Sequence, residues 1–141
     1  MKTWQKAWMI VLCAMVTAAF TGVVRADEDA LAECMDVINK NTKKLRKDIK
    51  DSSLNAESAK LAAEASQQAA KAKEMVPPIA KNASGADKEK IIAGYKKMMA
   101  ELVDTFAALE KALKENKNDA AEEIYLKLLD LKKRGHDAYT E

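Results

Sequence analysis

The chain has two prolines, and they stand side by side at Pro77-Pro78. Proline removes a backbone donor and breaks a helix from within, so every stretch away from that pair is open to helix. Glycine is nearly as sparse, with only Gly85, Gly94 and Gly135 beyond Gly22. A sequence rich in Ala, Leu, Lys and Glu with so few breakers is expected to be helical nearly throughout. No period-two alternation reads as a strand, and no internal repeat is present.

Apolar residues then divide the chain by steps of three and four, the spacing of a helix face packed in a bundle. A first helix is expected from Asp29 to Ile49, with Leu31, Met35, Ile38, Thr42, Leu45 and Ile49 inward and Lys40, Lys43, Lys44 and Lys47 opposite. After the polar Asp51-Ser52-Ser53 turn, a second helix capped by Asn55 presents Leu61, Ala65, Ala69, Ala72 and Met75 before the prolines end it. Residues 77–86 form the longest connection, and Ser84 with Asp87 resembles a capping box. The third helix places Ile91, Tyr95, Met98, Leu102, Phe106, Leu109 and Leu113 on one stripe. Asn116-Lys117-Asn118 makes a short turn into a fourth helix, where Ala121, Ile124, Leu128 and Leu131 lead towards His136 and Tyr139. Four helices with short connections imply an all-α, antiparallel up-down-up-down four-helix bundle.

Residues 1–26 stand apart. Lys2 and Lys6 precede an uncharged apolar run from Ala7 to Phe20, and Val24-Arg25-Ala26 supplies small residues for cleavage, the pattern of a Sec-type signal peptide. The competing reading is an uncleaved anchor, since residues 7–24 approach the length of a span. Lipidation at Cys13 is disfavoured by Leu12 before it. Cleavage delivers residues 27–141 to the periplasm as one domain of 115 residues, enough for a single core. Losing Lys2, Lys6 and Arg25 leaves 21 basic against 22 acidic residues. A near-neutral, mixed surface gives no footprint for nucleic acid or, after cleavage, for a membrane. Cys34 is the one thiol left, so the bundle is a monomer or a dimer linked through Cys34, and packing or a bound cofactor must stabilise it.

Chemistry points to one end of this bundle. Met35 near the start of the first helix and His136, the only histidine, near the end of the fourth fall at the same end of an up-down-up-down arrangement. Counted by helix rise they are level, and Leu31, Met35 and Ile38 on one helix face Leu128, Leu131 and His136 on the other. Ala72, Met75, Ile91 and Tyr95 would wall that end, small and flat side chains able to flank a macrocycle. Met35 and Met75 also read as core filler. With Met98, Met99 and His136 they are soft ligands for copper(I), although adjacent Met98 and Met99 point about 100° apart. A cofactor-free bundle that binds a partner protein is the third reading. An enzyme is not expected, because no second histidine, nucleophile constellation or phosphate-binding glycine loop is present. The absence of Cys-x-x-Cys-His excludes covalent c-type haem.

The chain resembles the cytochrome b562 family of periplasmic haem proteins. The matching residues are Cys34-Met35-Asp36-Val37-Ile38-Asn39, Val76-Pro77-Pro78, Gly94-Tyr95, and the spacing from Leu128 to His136 followed by Tyr139, spread over the whole segment after the signal. The resemblance implies one non-covalent haem b with Met35 and His136 as axial ligands, and Ile38, Ala72, Met75, Ile91 and Tyr95 around it. Such ligation leaves no open site and favours electron transfer with a redox partner protein. Lys132, Lys133 and Arg134 are candidates to pair with haem propionates or a partner's acidic patch. The chain departs from the family in a third helix about one turn longer and in Gly135, where the family tends to carry a bulkier residue.

Overall fold

A computed structural model describes residues 27–140 of the protein. The signal peptide expected over residues 1–26 lies outside the described residues. Helix α1 runs over residues 27–48, α2 over Asn55–Lys73, α3 over Gly85–Lys114 and α4 over Asn118–Tyr139. Single 3-10 turns, Ser52–Leu54 and Pro78–Lys81, interrupt the first two connections. From Leu31 onward the helices pack as one compact unit.

Contacts between the helices give the topology. Asn41 of α1 donates to the Leu61 carbonyl and to Glu64 of α2, and Lys44, further along α1, pairs with Glu57, earlier in α2. Ser66 and Ala72 of α2 meet Val103 and Tyr95 of α3 in the same reversed order. Ile49, just past the end of α1, and Thr42 within it meet Asn118 and Tyr125 of α4, while Glu101 and Met98 of α3 meet Arg134 and Gly135 of α4. Every neighbouring pair is antiparallel, so the expected up-down-up-down bundle is the one observed.

The core confirms the helical seams but moves four of their members by one residue, the first being Met35 on α1, which gives the inward place to Cys34. Leu31, Ile38, Thr42 and Leu45 on α1 and Ile49 just after it are buried as expected. On α2, Ala62 is buried and Leu61 only half-buried; on α3, Met99 replaces Met98; on α4, Tyr125 replaces Ile124. Tyr125 goes inward because its hydroxyl reaches the Thr42 carbonyl at 3.0 Å, a partner its burial requires. Four alanines on α2, Ala62, Ala65, Ala69 and Ala72, are fully buried and bring that helix close to its neighbours. Phe106, Leu45, Leu109, Leu113, Leu128 and Leu131 fill the space, each contributing about 1.5–3 kcal/mol by leaving water.

Two expected caps are not formed. Asn55 does not cap α2: Leu54 holds that place without a side-chain bond, and Asp51 caps the preceding 3-10 turn through Ser53. Asn55 is instead buried and donates to Asn116 (3.0 Å) and Asn118 (2.9 Å), while Asn118 donates to the Ile49 carbonyl at 2.9 Å. Asn116 adopts a left-handed φ of 54°, and the Lys117 amide reaches back to the Ala112 carbonyl, ending α3 in a Schellman turn. These three asparagines join the end of α1, the start of α2 and the α3–α4 turn at one end of the bundle. At the other connection Ser84 makes no side-chain cap, because Gly85, with φ 55°, turns the backbone into α3 by a left-handed step.

Candidate functional site

The end of the bundle opposite the asparagine cluster holds the candidate site. On α1, Cys34 is the more inward residue, 5% exposed, and Met35 is half-buried and packed against the core. Met35 lies seven residues before Thr42 and within about 20° of it around the helix. Thr42 is the residue whose carbonyl receives Tyr125 of α4, so Met35 leans to the flank of α1 that faces α4.

His136 is exposed, not inward with Leu131 as its sequence position suggests. The five residues between them turn the helix by about 140°, whereas the eleven from Tyr125 bring His136 back to within about 20° of that residue. His136 therefore also sits on the flank that faces α1. The Ile49–Asn118 and Thr42–Tyr125 contacts step seven residues along each helix; seven more place Met35 opposite residue 132. His136 lies one turn further, roughly 6 Å along the axis. The two candidate ligands thus occupy facing flanks of α1 and α4 within about one turn.

The walls are drawn together. Tyr95 is buried, donates its hydroxyl to the Ala72 carbonyl at 2.8 Å, and meets the ring of Tyr139 edge-on with centroids 5.5 Å apart. Burial, with the Cys34 thiol beside it, pushes the Tyr95 hydroxyl up to about 12. Met75 packs against the core, Ile91 is half-buried, and Ile38 is buried on α1. Tyr139 was legible as an aromatic after the histidine, but its place in the inward row that follows Leu131 and Gly135 by steps of four is what sets its contacts. A Cβ on Gly94 would sit 2.7 Å from the Tyr139 hydroxyl oxygen, and one on Gly135 3.0 Å from Met98 Sδ. The glycine before the histidine is thus where α3 seats a methionine against α4.

Gly94→Ala must turn the Tyr139 ring out of its seat. Overpacking costs about 1–3 kcal/mol, and alanine returns about 1 kcal/mol of helix propensity, so the expected net loss is below about 2 kcal/mol. The accompanying result is loss of the Tyr95–Tyr139 ring contact in nuclear Overhauser spectra, with the rest of the core unchanged.

Of the basic residues near His136, Arg134 pairs with Asp130 on its own helix and Glu101 on α3, and Lys133 with Asp137. Burial, with a smaller repulsion from the like charge of Lys43 on α1, holds the Lys132 ammonium below the usual lysine range. It is the best placed of the three to receive an anionic group. Met98 and Met99 diverge, one against Gly135 and the other into the core, so they do not act together as copper ligands.

A half-buried thioether on α1 and an imidazole on the facing flank of α4 make a donor set that fits haem iron. The sequence profile of the family described as Cytochrome b562 matches residues 30–140, a span that takes in Met35, Tyr95 and His136. No curated protein and no solved structure matches the chain. With the profile matched over most of its length and the four-helix topology in place, the chain belongs to the cytochrome b562 family, a family of haem-binding four-helix bundles.

Proposed function

We propose that the protein is a periplasmic electron carrier that binds one non-covalent haem b, with Met35 and His136 as axial ligands. What supports this reading is membership of a haem-binding family, together with the register of the α1–α4 contacts, which carries helix positions 35 and 136 to facing flanks within about one turn. Met35 and His136 would hold haem, which would supply one-electron redox chemistry, the thioether favouring ferrous iron. Met35 offers its sulfur from a helix fixed by Leu31, Cys34 and Ile38, so the donor is held by packing. Tyr139 must turn away from Gly94 and Tyr95 to open the end of the bundle. Lys132, opposite Met35 in the α1–α4 register, offers positive charge beside the site to propionates. Export follows from residues 1–26 acting as a signal peptide.

The seat that Tyr139 finds against Gly94 and Tyr95 favours a second reading, a cofactor-free bundle that binds a partner protein. Spectra separate the two. The full chain with its own signal, purified from the periplasm, is expected to show a reducible Soret band with a 1:1 haem content. Met35→Ala and His136→Ala are each expected to abolish the low-spin spectrum. A colourless protein that takes up no added haemin would sink the haem reading and leave the second.

A further inference from the structure

We infer that Thr140 is a positioning residue for His136, fixing the ring so that Nε2 is presented unprotonated to a metal. Thr140 ends α4 in an extended conformation, φ −107° and ψ 145°, with its backbone amide donating to the His136 carbonyl at 3.2 Å. Its hydroxyl donates to the same carbonyl at 2.5 Å. A hydroxyl carries one proton, and that bond uses it. The 3.3 Å contact between Thr140 Oγ1 and His136 Nδ1 then requires the ring to be the donor. In neutral imidazole the single N–H is therefore on Nδ1, and Nε2 keeps its lone pair. Metal-bound histidines are commonly held in this way, the outer ring N–H donated to an oxygen that fixes tautomer and orientation. The helix terminus supplies that oxygen here: the turn that stops α4 places the hydroxyl one turn beyond the imidazole.

This inference rests on the haem reading only for the identity of the metal, since the hydrogen bonds are made by the chain alone. His136 is the only histidine, so two-bond proton–nitrogen spectra of the uniformly 15N-labelled protein, recorded at mildly alkaline pH, report one ring. The expected result is a predominance of the Nδ1–H form. Thr140→Val should move the ratio about two- to tenfold towards Nε2–H, the range one modest hydrogen bond allows, and Thr140→Ser should restore it. A wild-type ring already in the Nε2–H form, or a valine variant with an unchanged ratio, would overturn the inference. Haemin titration adds the functional side: about a tenfold weaker affinity for Thr140→Val, recovered in Thr140→Ser. A protein that takes up no haemin but shows the Thr140-dependent ratio would overturn the haem reading and support this one. Circular dichroism of both variants should match the wild type, because the backbone cap remains.

Discussion

Phe106→Ala is expected to lower the unfolding free energy by about 3–5 kcal/mol, a large share of the roughly 5–15 kcal/mol that holds a domain of this kind together. Phe106 is fully buried in the second half of α3, eight residues before its last residue. Across from α3 stand the buried alanines of α2, Ala62, Ala65 and Ala69, which have no side chain to swing into a void. Nor can the helices simply close on it. Asn55, Asn116 and Asn118 tie one end of the bundle, and the Tyr95–Ala72 hydrogen bond ties α2 to α3 at the other. A site that cannot collapse pays the cavity cost as well as the transfer cost, so the upper half of the range is expected. Urea denaturation measures it, with the midpoint falling and the slope unchanged. Phe106 lies eleven residues, roughly 16 Å of helix, from Tyr95, so haemin uptake by the folded fraction should match the wild type. A loss below about 1.5 kcal/mol would mean that the bundle yields at its middle.

The helices and their order were legible because the chain offers few places to stop. The proline pair, the Asp51-Ser52-Ser53 turn and the asparagines at residues 116 and 118 are its main interruptions, and the apolar steps between them have one period. Which of two adjacent residues goes inward was less legible. Leu61 or Ala62, Met98 or Met99, Ile124 or Tyr125 are each neighbours on a broad apolar stripe, and the choice depends on what faces them. For Tyr125 the deciding group is a carbonyl 83 residues away in sequence. Asn55 shows the same limit in a polar residue: its type suits a helix cap, but its partners lie in the α3–α4 turn.

The candidate site was legible in level and not in angle. Counting helix rise puts Met35 and His136 level at one end of the bundle, whereas stepping along from the α1–α4 contacts sets position 136 about one turn beyond the one opposite Met35. The angle between Leu131 and His136 needs the phase of the helix, and by that phase the imidazole belongs with Tyr125 on the α1-facing flank. Tyr139, by contrast, takes the inward place. Its partner Gly94 was visible in sequence as a glycine beside an aromatic residue, and its role, to leave room for a hydroxyl from another helix, appears only when the helices are packed.

Tyr95 ties this end of the bundle to pH. Its hydroxyl is pushed up from 10.0 to about 12 in the folded chain. Above pH 10 the unfolded chain loses that proton and the folded chain keeps it, so the folded state binds more protons and stability must fall as pH rises. The contribution is fully present below pH 10 and is lost progressively towards pH 12; two units at about 1.4 kcal/mol each set its size at about 2–3 kcal/mol. Tyr125 is also raised by burial, so the test is a difference. Tyr95→Phe should cost about 0.5–1 kcal/mol at pH 8, at the low end because the Ala72 carbonyl keeps its amide donors Glu74 and Met75. Between pH 10 and 12 the wild type should lose its advantage and fall below the variant, giving urea-denaturation curves that cross. Parallel curves would show that Tyr95 ionises as freely in the fold as outside it. Because the Tyr139 ring rests edge-on against Tyr95, ionisation that forces Tyr95 towards water also removes the surface that seats Tyr139. The crossing should therefore coincide with loss of the Tyr95–Tyr139 contact before the asparagine-tied end of the bundle unfolds.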